Sequence, residues 1–198
     1  LVMADVTNKE KMQKCFDQFK PDIVFHAAAV FTDARSQEAV NVQGTKNTVS
    51  AAANHDIERF VHVSSIAVYG YSGPDYITED IPLEPAAEYY AQSKALGEQK
   101  LLADADAIGL EAVVIRPGMI YGPGSGFWTG KVFDLARRRP TLLPGDGDTR
   151  CPVIFIDDLV ALLWSEELGG ASEERQGSVF ADDAGPGQSF GAVIGDET

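Results

Sequence analysis

Short runs of apolar, β-branched residues alternate along this chain with stretches of helical periodicity, and that alternation constrains the fold more than any other feature. Leu1 to Val6 reads as the end of a strand. Asn8 to Phe19 is amphipathic, with Met12, Cys15, Phe16 and Phe19 on one face, Thr7 or Asn8 as cap and Pro21 as stop. Asp22 to Ala27 reads as a buried strand, Ser36 to Asn54 as a long helix, Arg59 to Ser64 as a strand and Ala87 to Ala107 as a helix. Leu110 to Arg116 is the next strand, broken by Pro117-Gly118. Strands that are apolar on both faces, each followed by a helix, predict an α/β fold with a doubly wound parallel sheet covered by helices on both faces. Beyond Gly122 the pattern loosens. A loop (122–126), a helix (127–139), a strand (153–156) and a helix capped by Asp157-Asp158 are expected there, with Ser178-Val179-Phe180 as a further ordered segment.

A length of 198 residues allows one domain with an appendage. The net charge of −14 argues against nucleic acid or an anionic membrane as partner. It is read as a solvated acidic surface. No apolar run reaches membrane-spanning length, and Leu1-Val2-Met3-Ala4 lacks the features of a signal peptide. Cys15 and Cys151 have no companions at metal-ligand spacing, so no metal site is expected. Both are read as reduced and structural, in keeping with a cytoplasmic protein.

Tyr90 and Lys94 stand one helical turn apart, downstream of a strand that ends in Ser64-Ser65. A phenol is a poor base at neutral pH, and an ammonium on the same helix face stabilises its anion. A hydroxyl held opposite can hold a substrate oxygen while the proton moves. That chemistry suits hydride transfer at a carbinol carbon. The spacing alone arises by chance in about one chain in four of this composition, so its weight comes from its surroundings. In a doubly wound sheet, ligands bind beyond the carboxyl ends of the strands. Here those ends carry Asp5, then Ala27-Ala28-Ala29, then Ser64-Ser65, then Pro117-Gly118. Small residues there let a flat cofactor approach the backbone, although small residues also simply end strands.

These segments carry a resemblance. Asp5-Val6, Asp22-x-Val24-x-His26-x-Ala28-Ala29, Asn41-Val42-x-Gly44-Thr45, Val63-Ser64-Ser65-x-x-Val68-Tyr69-Gly70, Tyr90-x-x-x-Lys94, Arg116-Pro117-x-x-x-Tyr121-Gly122-Pro123-Gly124 and Ile156-x-Asp158-Leu159 fall in one order. As a set they resemble the extended short-chain dehydrogenase/reductase family, of the NAD-dependent epimerase/dehydratase type. The resemblance implies a Rossmann-like fold, NAD or NADP as cofactor, a small-molecule substrate and a homodimer through the long helices. It implies Tyr90 as general acid/base. Lys94 would lower the phenol's pKa and hold the nicotinamide ribose, and Ser65 would hold the reacting oxygen. Asn41 would order the lysine through water, Asp5 and Val6 would touch adenine, Pro117 would lie near the carboxamide, and Ser64 would support the strand end.

The family's phosphate-binding turn has no counterpart. No triplet of the nineteen glycines fits G-x-G-x-x-G or G-x-x-G-x-x-G. The resemblance therefore implies an N-terminally truncated relative lacking the first βαβ unit. Its partial dinucleotide-binding domain would span 1–122 and its partial substrate-binding region 123–198. Two readings stay open: an oxidoreductase or epimerase/dehydratase acting on a secondary alcohol or ketone of a nucleotide sugar or hydroxysteroid-like molecule, or a truncated non-catalytic relative or dinucleotide-binding module without turnover. His26, His55 and His62 are read as structural. Arg137-Arg138-Arg139 is read as complementing a helix C-terminus, and Arg150 as a weak candidate for a diphosphate.

Overall fold

The computed structural model describes residues 2–70, 77–139 and 151–165 together with the backbone of 192–194. Helix α1 (Lys9–Phe19) starts at Asn8, whose side-chain oxygen accepts from the Lys11 amide at 2.9 Å. It buries Met12, Cys15 and Phe16, the i, i+3, i+4 stripe of an amphipathic helix, and ends at Lys20 in the left-handed region ahead of Pro21. The main sheet holds β1 (Ile23–His26), β2 (Arg59–Val63) and β3 (Ala112–Ile115) in parallel, in register Ile23↔Arg59 and Phe60↔Ala112. A last strand, β6 (Ala192–Ile194), lies antiparallel on the free edge of β1, giving the order β3-β2-β1-β6. A second, two-stranded parallel sheet joins β4 (Met119–Tyr121) to β5 (Val153–Phe155).

The long helix expected over 36–54 is three consecutive pieces: α2 (Ala34–Gln37), a π-helical segment (Glu38–Gly44) and α3 (Thr45–Ala52). A 3₁₀ turn (Ile66–Tyr69) follows β2, and α4 (Tyr89–Ile108) is the 20-residue helix that carries the tyrosine–lysine pair. Past β4, a π-helical turn (Gly126–Gly130) leads into α5 (Lys131–Arg137), and α6 (Ile156–Leu163) follows β5. Phe16, Val24, Phe60 and Leu101 are fully buried where α1, α3 and α4 pack with the sheet. Each such side chain contributes roughly 1.5–3 kcal/mol.

Several expectations change. Residues 2–5 form no strand: the described sheet gives them no neighbour, and the Val6 carbonyl is taken by the Asn47 side chain at 2.9 Å. Asp157 and Asp158 do not cap α6. They sit inside its first turn, where their charge favours the helix N-terminus, and Phe155 is the cap residue. Cys151 is exposed, so only Cys15 is a buried structural thiol. Ser178 to Phe180 and Arg150 lie outside the described residues.

Helix α4 approaches the π segment so closely that a Cβ on Gly97 would meet the Asn41 carbonyl oxygen at 2.4 Å. That oxygen is backbone and cannot swing aside. Gly97→Ala is therefore expected to cost about 1–3 kcal/mol of stability, read as a lower urea midpoint at unchanged m. Gly130→Ala, whose added Cβ meets open space, should stay within about 0.5 kcal/mol of the parent.

Candidate active site

Strand β2 delivers the first half of the site. The Ser64 amide extends the ladder to the Ile115 carbonyl at 2.7 Å. The Ser64 hydroxyl is buried with no hydrogen-bond partner among the described residues. Ser65 turns the chain: its backbone is extended, and its hydroxyl accepts from the Ala67 amide at 3.2 Å, capping the 3₁₀ turn. Buried Val68 and Tyr69 anchor that turn. Gly70 closes it at φ 75°, where a Cβ would strike the Glu84 carbonyl at 2.6 Å. The Ser65 hydroxyl also faces the Tyr90 phenol and acts to lower its pKa.

Helix α4 delivers the second half. Tyr90, Lys94 and Glu98 follow one another at four-residue intervals, hence on one face. Lys94 is only 2% exposed, and its ammonium donates to the Val63 carbonyl at 2.6 Å. Burial lowers its pKa from 10.5 to about 8, while the Glu98 carboxylate pulls the other way. Glu98 is 1% exposed and is itself clamped: Arg116 Nε lies 3.1 Å from both carboxylate oxygens, and Nη2 also donates to the carboxylate. Arg116 further donates to the Tyr69 hydroxyl and sits 5.1 Å over the Tyr69 ring. Its own pKa is raised, chiefly by the hydrogen bond with Glu98.

The phenol of Tyr90 is held above its ordinary value of 10. Burial raises it, and the Ser65 hydroxyl opposes that rise. Lys94 is not among the groups that move it. In this geometry Tyr90 carries its proton at neutral pH, and Ser65 is the neighbour that favours the anion. The structure thus brings Ser65 and Tyr90 together, with Lys94 one turn further along the helix and turned to the β2 end.

Asn41 lies in the π segment, buried. Its amide donates to the Val30 carbonyl (3.1 Å) and the Ser93 hydroxyl (3.0 Å), and its side-chain oxygen accepts from the Val30 amide (2.9 Å). It pins the chain leaving β1 to α4, next to the helix turn that bears Lys94. His26 and His62 stack with centroids 5.3 Å apart. His26 bonds Thr45 Oγ1 at 3.0 Å, and burial with the Lys94 charge pushes its pKa down to about 3. His62 is held well below its ordinary value by burial, then Lys94, then His26. Among the described residues both its ring nitrogens lack a partner.

Of the expected cofactor contacts, Asp5 is exposed and bonds the Thr7 amide at 2.9 Å, whereas Val6 is 3% exposed and packs on Gly44. Ala27 is exposed, Ala28 buried and Ala29 half-buried at the end of β1. The buried Pro117 presents its carbonyl to the Ile66 amide at 3.0 Å. Small β1-end residues, the orphaned Ser64 hydroxyl and the spare N–H groups of Lys94 suit the nicotinamide-ribose end of a dinucleotide.

Glu98 and Arg116 were not singled out as partners from sequence. The i, i+4 spacing from Lys94 is the available signal for Glu98, but neither its burial nor its pairing with the half-buried Arg116 is legible in spacing. Phe31, stacked on the Tyr90 ring with centroids 4.6 Å apart, carried no sequence signal at all. Arg137 stands in the last turn of α5, and the Arg139 guanidinium reaches the Ala136 carbonyl at 3.5 Å, in keeping with a helix C-terminus. Among the described residues no cluster of metal-ligating side chains exists, and no helix is long and apolar enough to cross a membrane.

A parallel α/β sheet whose strand ends set a serine against the tyrosine of a Tyr-x-x-x-Lys helix defines a protein of the short-chain dehydrogenase/reductase class. The chain belongs to the NAD dependent epimerase/dehydratase family, whose model matches residues 1–165. It is 32% identical to a UDP-glucose 4-epimerase of Mycolicibacterium smegmatis, a match covering all of this chain and 62% of that protein. It is 31% identical over 166 residues to a 3beta-hydroxysteroid-dehydrogenase/decarboxylase of Arabidopsis thaliana, covering 80% of this chain and 37% of that one. Its structure resembles the Bordetella bronchiseptica enzyme WbmG in complex with NAD and UDP, with TM-score 0.70 and 25% identity over 88% of this chain and 54% of that chain. The Thermus thermophilus UDP-glucose 4-epimerase with NAD matches at TM-score 0.66 and 27% identity, covering 81% of this chain and 58% of that chain. The chain thus spans about one third to two thirds of the length of these relatives.

The buried charges fix how stability follows pH. Between pH 8 and 10.5 the unfolded chain keeps a proton on Lys94 that the folded chain has released, so stability rises with pH across that window. Lys94→Met should flatten that rise in denaturation midpoints measured from pH 7 to 10.5. His26 works at the other end. Stability linked to it is full above pH 6.5 and is lost as pH falls towards 3, because only the unfolded chain accepts the proton. NMR titration should find the His26 imidazole neutral at pH 5, where an exposed histidine is charged.

Proposed function

We propose that the protein is an NAD(P)-dependent oxidoreductase or epimerase/dehydratase acting on a secondary alcohol or ketone of a small molecule. The observation that carries this reading is the Ser65 hydroxyl facing the Tyr90 phenol, with the buried Lys94 one turn further along the same helix. Family membership and the NAD named with similar structures support the cofactor. When bound, the nicotinamide accepts or donates hydride. Lys94, fixed at one N–H by the Val63 carbonyl, holds the ribose hydroxyls with those left over. Ala27 to Ala29 and Pro117 admit the flat ring at the strand ends, and Asp5 with Val6 borders the adenine.

Tyr90 moves the proton at the substrate oxygen while Ser65 hydrogen-bonds that same oxygen. A protonated phenol donates to a ketone oxygen. In the reverse direction the phenol must first become an anion, which the Ser65 hydroxyl favours. Asn41 acts as a positioning residue through Val30 and Ser93. Residues 1–122 supply this chemistry and 123–198 contribute to substrate recognition, where nucleotide sugars and sterols are the classes named with the relatives.

A second reading, a non-catalytic relative or a dinucleotide-binding module without turnover, is favoured by a Tyr90 phenol that burial holds above its ordinary value, with Lys94 not among the groups that move it. Two measurements separate the readings. Tyr90→Phe should cut turnover by about 10²-fold or more while leaving cofactor affinity within about threefold. Full activity in that variant removes Tyr90 from the chemistry. Titration of the 198-residue chain with NADH, followed by nicotinamide fluorescence, should saturate. Saturation without turnover of a secondary alcohol or ketone would favour the second reading, and no saturation would remove the cofactor from the first.

A further inference from the structure

An aromatic ladder leads outward from the proton-moving tyrosine. Phe31 stacks on Tyr90 with centroids 4.6 Å apart and planes 28° from parallel. Phe127 stacks on Phe31 at 6.2 Å and 9°, and Trp128 meets Phe127 edge-on at 5.0 Å. Phe31, Phe127 and Trp128 are 68, 54 and 40% exposed, far more than aromatic side chains that serve a core. The turn presenting two of them is tied down. The Gly122 amide donates to Thr129 Oγ1 at 3.0 Å, the Thr129 amide to Ser125 Oγ at 3.4 Å, and Ser125 Oγ to the Ile120 carbonyl at 3.2 Å.

We propose that this ladder is the substrate platform, and that it takes a ketone or secondary alcohol carried on an apolar ring system. The inference rests on Tyr90 being the acid/base group, since only then does the inner end of the ladder meet the reacting oxygen. The class follows from what the ladder lacks. A nucleotide sugar brings a diphosphate and a base edge, both of which lose solvation unless cations and hydrogen-bonding groups converge on them. Phe31 and Phe127 offer neither. The ammonium that the ladder does carry, Lys131, is turned onto the Phe127 face at 3.8 Å, a cation–π contact. An apolar ring gains from stacked faces without such losses, and the tied turn keeps the ordering cost of binding small.

The chain has two tryptophans, Trp128 and Trp164. In a Trp164→Phe background, fluorescence reports Trp128 alone. Titration with 2-decalone, a fused-ring ketone, should give a saturable change, and UDP-glucose should give none. Phe31→Ala and Phe127→Ala, both at exposed positions, should each weaken 2-decalone binding about tenfold, with circular dichroism unchanged. A saturable response to UDP-glucose with none to 2-decalone overturns the inference. So do silence from both ligands and 2-decalone binding that ignores both substitutions. Adding Tyr90→Phe keeps the two claims apart. It should spare 2-decalone binding, so turnover surviving in that variant counts against the acid/base reading alone.

Discussion

The ammonium of Lys94 is buried, and much of the surrounding structure is arranged by that fact. An isolated charge in a protein interior costs several kcal/mol unless it is met by a carbonyl, a carboxylate or both. Here the Val63 carbonyl meets it directly and Glu98 lies one turn away on the same helix. Glu98, equally buried, needs its own counter-charge, and Arg116 supplies it bidentately from just beyond β3. The ionised side chains thus link α4 to β2 and to the end of β3. On the sheet side, His26 and His62 face the same charge and stay neutral, so they add no further cation beside Lys94. The cluster also demands that α4 come very close to the π segment. Gly97 allows it, because any Cβ there would collide with the Asn41 carbonyl.

What was legible in the sequence tracks what is local. The strands at 22–27, 59–64 and 110–116 were found within a few residues, because unbroken apolar runs report burial on both faces. The strand expected at Leu1 to Val6 failed because strandedness belongs to a pair, and an apolar run does not say whether a partner stands beside it. The π segment was invisible: a shift to i→i+5 bonding leaves no mark in composition, yet it places Asn41 where its side chain reaches both Val30 and Ser93. In the site, Ser65, Tyr90 and Lys94 are candidates that residue type, spacing and the family resemblance together single out. Their electrostatics are not legible there. The expectation that Lys94 depresses the Tyr90 pKa meets a phenol raised by burial, with the ammonium directed to a backbone carbonyl instead.

That difference bears on direction. A phenol above its ordinary value is a proton donor at neutral pH, and its anion becomes accessible only when something adds positive charge or removes water beside it. Ser65 faces the phenol with a hydroxyl dipole rather than a charge. Lys94, poised at about 8, is close to losing its own proton in the physiological range. The buried carboxylate of Glu98 therefore matters beyond packing, because it raises the Lys94 pKa against desolvation and so favours the ammonium. The charged side chains Lys94 and Glu98 are buried among α4, β2 and β3. The aromatic contacts of Tyr90 rest on exposed rings that can change without disturbing those charges. A scaffold divided in this way can exchange one substrate for another while its proton-moving core stays fixed.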